Sequence, residues 1–132
     1  MTRAETLAVA RSYLQAVEEG SVAVIRTHLT TDFAQREWPN PMSPQGASRN
    51  LPEVLQAAEQ GREVVGDQVF QIATEAVDGD QVIMEVNWSA TLLVDFPGRA
   101  SGTRIRARMA IFLTIRDGKV CAQHNYDSYL AD

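Results

Sequence analysis

Two hydrophobic periodicities divide the chain near its middle. From Arg3 to Glu19 apolar residues recur at helical spacing, at Leu7, Ala10, Leu14 and Val17, with Tyr13 beside that stripe. Thr2 and Glu5 fit a capping box at the start, and Gly20 stops the helix. Ser21 can cap a second, shorter helix over 22–29, which turns at 30–32 into a brief strand over 33–38. Asn50, Pro52 and Glu53 repeat the capping pattern and predict a third helix that stops at Gly61.

From about residue 69 the period changes to two. A strand over 69–77 runs into Asp78-Gly79-Asp80, a strong hairpin turn. In the next strand Val82, Met84, Val86, Trp88, Ala90 and Leu92 share one face, and Glu85, Asn87, Ser89 and Thr91 share the other. After the break PGRASG, the strand over 104–116 turns Ile105, Ala107, Met109, Ile111, Leu113 and Ile115 to the core and Arg104, Arg106 and Arg108 away. Such alternation marks a sheet with one buried and one open face. Asp117-Gly118 turns into the last strand, over 119–130.

Helices first and strands afterwards argue an α+β fold: three N-terminal helices packed on a strongly curved, mainly antiparallel mixed sheet, as a single domain over 1–132. A bent sheet closed by helices leaves a concave pocket, the usual place for a small molecule. The segment PNPMSPQGASRN, residues 39–50, reads as loop throughout because of its prolines and glycine. It fits a rim or lid over the pocket, or a plain surface connection.

The totals narrow the partners. A net charge of −5 disfavours nucleic acid and gives no hint of anionic membranes. Cys121 is the only cysteine, so no internal disulfide is expected, which fits a reducing compartment. No uncharged apolar run is long enough for a bilayer, and the charged first twenty residues do not resemble a signal peptide. A cytoplasmic protein is expected. Two histidines without a carboxylate at ligand spacing, and no glycine-rich phosphate loop, predict neither metal nor cofactor.

Two stretches carry a family likeness: ARSYLQAVEEGSVAVIRTHLTTDF (10–33) and AIFLTIRDGKVCAQHNYD (110–127). With the hairpins between them, the chain resembles the nuclear transport factor two-like superfamily. That group includes the SnoaL-like polyketide cyclases, ketosteroid isomerases and limonene epoxide hydrolases. The resemblance implies a cone-shaped, cystatin-like barrel with a pocket, and a homodimer formed through the open sheet face. It implies fold more than activity, because the fold hosts many functions. Tyr13 falls where the isomerases place an oxyanion-donating tyrosine, and Glu37 where they place the carboxylate base. A one-residue slip would put Trp38 there instead. Their protonated aspartate falls near Ile111. The cyclase-like histidine also falls near Ile111 and the cyclase-like aspartate at Asn125, with Asp127 the nearest carboxylate.

The last hairpin decides which side chains reach the pocket. If Asp117-Gly118 is a two-residue loop, Ile115 pairs with Val120, and His124 and Tyr126 follow onto the core face. If it is a three-residue loop with Gly118 at a bulge, Ile115 pairs with Lys119, and Gln123, Asn125 and Asp127 face inward. Hydrophobicity favours the first and the resemblance favours the second, which is the reading adopted here.

On that register the candidates for chemistry are Glu37 and Asp127 as general acid or base, with Tyr13 or Asn125 donating to developing negative charge. Burial beside apolar groups would raise the carboxyl pKa values toward the useful range. Trp38, Trp88, Met109, Ile111, Gln123 and Asn125 are the expected substrate-binding residues. The reading is a small hydrophobic ligand, cyclic or polyketide- or steroid-like, with isomerisation, cyclisation or dehydration by proton transfer. The alternative is a non-catalytic ligand-binding or protein-interaction module of the same fold.

Overall fold

The computed structural model describes residues 1–131. Three helices, α1 (Arg3–Glu19), α2 (Val22–Thr27) and α3 (Leu51–Val64), accompany six strands: β1 (Leu29–Glu37), β2 (Ala47–Asn50), β3 (Val65–Asp78), β4 (Gln81–Leu92), β5 (Arg104–Arg116) and β6 (Lys119–Tyr129). They form one sheet in the order β2-β1-β6-β5-β4-β3. Only β1 and β6 are parallel, so the sheet is mixed and mainly antiparallel. It is curved but unclosed, with edges at β2 and β3.

Both expected capping boxes form. Thr2 and Glu5 satisfy each other's backbone amides at 2.8 and 3.1 Å, and Asn50 and Glu53 do so at 2.9 and 3.0 Å. Caps of this kind contribute about 1 kcal/mol each. α1 lays Ala10, Tyr13, Leu14 and Ala16 into the core, and Glu18 accepts from the Phe70 amide at 2.7 Å, tying the helix to β3. The inward faces of β4 and β5 are buried as their alternation required, from Val82 to Leu92 and from Ile105 to Ile115. Burying one such side chain is worth roughly 1.5–3 kcal/mol.

Several boundaries differ from the sequence reading. α2 ends earlier, at Thr27, and β1 begins at Leu29. α3 passes through Gly61 and ends at Val64. A glycine inside a helix costs only about 1 kcal/mol against alanine, so it need not end one. Residues 47–50 are not loop: they form β2, a short edge strand that pairs Arg49 with Gln35 and Ala47 with Glu37. What remains of the loop folds tightly against β1. Gly46 has φ +68°, and a Cβ there would lie 2.5 Å from the Glu37 carbonyl oxygen, so only glycine fits.

The last hairpin combines parts of both expected geometries. The loop has two residues, Asp117 and Gly118, both at positive φ, and Ile115 pairs with Val120. That corrects the three-residue loop adopted above. Yet Thr114 pairs with Ala122, not Cys121. The extra residue is taken up by a bulge at Cys121, which restores Gln123, Asn125 and Asp127 to the inner face. The bulge uncouples the length of the turn from the facing of the strand after it.

Candidate functional site

β6 lies between β1 and β5, so its inward residues gain neighbours on both sides. Gln123 stands opposite Leu113 and Gln35, Asn125 opposite Ile111 and Glu37, and Asp127 opposite Met109. Tyr129 follows, opposite Ala107, and packs edge-on against Trp88 at 6.0 Å. The apolar floor is Met109 and Ile111, both buried, and Trp88, whose indole N–H donates to Gln68 at 3.0 Å.

A continuous polar chain crosses this floor. The Tyr13 hydroxyl donates to Gln123 Oε1. Gln123 Nε2 donates to Asn125 Oδ1 at 2.8 Å, and Gln35 Nε2 donates to the same oxygen at 3.0 Å. Arg49 donates to Gln35 Oε1 at 3.2 Å and to Glu37 Oε1 at 2.9 Å. Asn40 Nδ2 completes the chain, donating to Glu37 Oε2 at 3.0 Å. Asn40 is itself buried and fixed: its Oδ1 accepts from the Met42 and Ser43 amides.

The two candidate carboxyl groups are therefore held in opposite ways. Both oxygens of Glu37 are occupied, by a guanidinium and by an amide. Asp127 Oδ1 is buried with no hydrogen-bond donor. Burial, and then the Glu37 charge nearby, push the Asp127 carboxyl up to about 6. Such a group exchanges a proton near neutral pH, which is what a general acid or base requires. Burial, followed by the Asp127 and Glu37 charges, also raises the Tyr129 phenol, so it stays protonated. Burial alone raises Tyr13.

The fold thus brings Tyr13, Glu37, Trp88, Met109, Ile111, Gln123, Asn125 and Asp127 to its inner side. It does not bring Trp38 there. Strand alternation at Glu37 turns Trp38 outward, where it stacks on Tyr126 at 5.7 Å under the Arg36 guanidinium. Tyr13 reaches the network, but its hydroxyl proton is already given to Gln123. Sequence reasoning missed Gln35, Asn40, Arg49 and Tyr129. Gln35 and Tyr129 were within reach, since each is two residues from a candidate on the same strand face. Arg49 and Asn40 were hidden because their segment read as loop. No group of three His, Cys, Asp or Glu among the described residues is placed to hold a metal ion.

Comparison with known proteins agrees with this fold. AclR, a proposed hydroxylase from Streptomyces galilaeus, superposes with a TM-score of 0.79 at 19% identity, covering 96% of this chain and 81% of its own. IdmH, a proposed polyketide cyclase from Streptomyces antibioticus, gives 0.78 at 16% identity, with coverages of 92% and 91%. A protein of ketosteroid isomerase-like fold from Catenulispora acidiphila, in complex with trimethylamine, gives 0.74 at 14% identity, with coverages of 91% and 85%. At these identities the likeness establishes the fold, which is the nuclear transport factor two-like cone. No curated protein sequence is significantly similar to the chain. The SnoaL-like domain model matches residues 10–123, most of the sequence, and the chain therefore belongs to the SnoaL-like domain family.

Proposed function

We propose that the protein binds a small hydrophobic, carbonyl-bearing molecule against the inner sheet face and moves a proton on it, with Asp127 as the acid or base. The observation that carries this reading is the buried, donorless Asp127 Oδ1 on a carboxyl whose pKa lies near 6. A structural carboxylate in that position would be given donors, because leaving a buried polar atom unpaired costs about 1–3 kcal/mol. Asn125 stands two residues away on the same face, and its Oδ1 is engaged by two amides, so both Nδ2 protons remain for a ligand. A donor and a proton acceptor side by side suit removal of a proton next to a carbonyl, with Asn125 steadying the enolate oxygen. The apolar floor of Trp88, Met109 and Ile111 suits a cyclic, polyketide- or steroid-like skeleton, and the cyclase named among its structural neighbours points the same way. Isomerisation, cyclisation and dehydration all share this first step.

In the same reading Glu37 acts as the counter-charge of Arg49 rather than as the base. The protein would work in the cytoplasm, consistent with a lone cysteine, and pair as a homodimer through the outer sheet face. That face exposes Trp38 and Tyr126, clustered with Phe112.

Asp127→Asn tests the proposal directly. With an enolisable cyclic ketone in deuterated water, the wild type should catalyse exchange at the carbon next to the carbonyl. The variant should lose roughly 10²–10⁴-fold of that rate, the usual size of a general base contribution. Undiminished exchange in the variant would remove Asp127 from the mechanism. Ligand binding with no exchange in either protein would favour the non-catalytic binding module.

A further inference from the structure

The side-chain amides of Gln35, Gln123 and Asn125 are each two-ended, with an oxygen that accepts and a nitrogen that donates. Any of them fits its space either way round. What Asn125 shows a ligand therefore depends on what fixes the direction of the whole chain. If it were reversed, Asn125 would turn an oxygen to the ligand, and a carbonyl there would be repelled.

Of the groups bonded to these three amides, one has no choice. The Arg49 guanidinium donates and can never accept. It donates to Gln35 Oε1, which forces Gln35 Nε2 toward Asn125, and this in turn draws Asn125 Oδ1 toward Gln35. At the other end stands Tyr13, and a hydroxyl can donate or accept, so it follows the chain without setting its direction. Arg49 is itself fixed by Glu37, whose second oxygen is fixed by Asn40. Both partners of that ion pair are partly buried, with side-chain exposures of 24% and 18%. The anchor thus rests on the short edge strand β2 and on the turn beside it.

We infer that Arg49 is a positioning residue that sets the polarity of the Gln35–Asn125–Gln123 amide chain, so that the site presents the N–H groups of Asn125 rather than its oxygen. The inference builds on the Asp127 site proposed above, but the two can fail separately. Arg49 need not touch the ligand. It acts through Gln35, and Glu37 and Asn40 serve to hold it.

The direction of a hydrogen bond can be read by NMR as a coupling across it, from the donor nitrogen to the acceptor's carbonyl carbon. In the wild type, Gln35 Nε2 and Gln123 Nε2 should each couple to Asn125 Cγ. Arg49→Lys keeps a donor-only group and should preserve both couplings. Arg49→Met should lose the Gln35 coupling, with the backbone amide spectrum otherwise retained. Should Arg49→Met not fold, Arg49→Gln serves in its place: a residue that both donates and accepts should give two sets of Gln35 side-chain signals. An unchanged coupling in Arg49→Met, a single unchanged Gln35 set in Arg49→Gln, or a wild-type coupling running from Asn125 Nδ2 to Gln35 Cδ would each overturn the inference. A failure of the Asp127 reading would leave these couplings in place and appear instead as an ordinary Asp127 titration.

Discussion

The two faces of β6 are made of neighbouring residues and have opposite characters. Inward, Gln123, Asn125 and Asp127 are polar groups set into an apolar floor, with both side-chain polar atoms of Gln123 and the Asn125 oxygen hydrogen-bonded. Outward, His124 and Tyr126 are exposed, and Tyr126 contacts Trp38 and Phe112 in an aromatic cluster. Composition alone would place them the other way round, aromatic inside and amide outside. The bulge at Cys121 inverts the expectation. The inner face can carry amides because they bond to one another, and a buried polar group costs little once it is hydrogen-bonded. Against that background the buried, donorless Oδ1 of Asp127 stands out as the place where stability has been given up. The outer face carries no comparable obligation, and its residues sit where solvent or a second copy can meet them.

The contrast is broken most strongly by removing the unmatched charge. The folded state raises the Asp127 pKa to about 6, above the roughly 4 of an unfolded aspartate. The folded protein therefore holds its proton more tightly. The contribution of this group to stability is most favourable below pH about 4 and is lost as pH rises through about 6. Asp127→Asn should remove that loss, leaving the variant more stable by up to about 3 kcal/mol above pH 7, with little difference near pH 4. Urea unfolding at the two pH values measures it. Equal stability at both would mean that Asp127 is solvated. A gain in stability with a loss of turnover is what a site held under desolvation should show.

A smaller effect sharpens the comparison from the inner side. Tyr13→Phe removes the hydroxyl that satisfies buried Gln123 Oε1, and should cost about 1–3 kcal/mol in thermal or urea unfolding. Tyr126→Phe, on the outer face, removes a hydroxyl with no such partner and should stay within about 0.5 kcal/mol. Comparable losses in the two variants would argue against the network. The smallest effect is expected at His124, exposed on the outer face. His124→Ala should leave both stability and any turnover at wild-type level, within about 0.5 kcal/mol, and a large loss of turnover would put the chemistry on the wrong side of the sheet.

Most of the fold was legible because the signals were local. The capping boxes at Thr2 and Asn50 mark helix starts with side-chain chemistry that needs no tertiary context. The alternation in β4 and β5 reports burial at every second residue. The last hairpin was harder. Asp117-Gly118 announces a turn, but a bulge has no composition of its own, and Cys121-Ala122 looks like ordinary strand. The inner face came out correctly although the turn did not, because the resemblance spoke to facing and not to loop length. The network was legible in part. Asp127 and Asn125 stood out as polar residues on a core strand. Arg49 did not, because four residues of edge strand behind three prolines carry too little pattern to be told from loop. Trp38 was misplaced in the pocket for a related reason: the slip that would bring it inward exchanges it with Glu37, and only the pairing of β1 with β6 excludes that slip.

The most direct test of the account is the titration of Asp127 itself. A ¹³C-detected titration of the side-chain carboxyl groups, assigned through Asp127→Asn, gives its midpoint in the free protein without any substrate. The account predicts a midpoint of about 6, well above the roughly 4 of an unfolded aspartate. A midpoint near 4 would mean that Asp127 is an ordinary solvated carboxylate and that the inner face of β6 holds no group suited to move a proton near neutral pH.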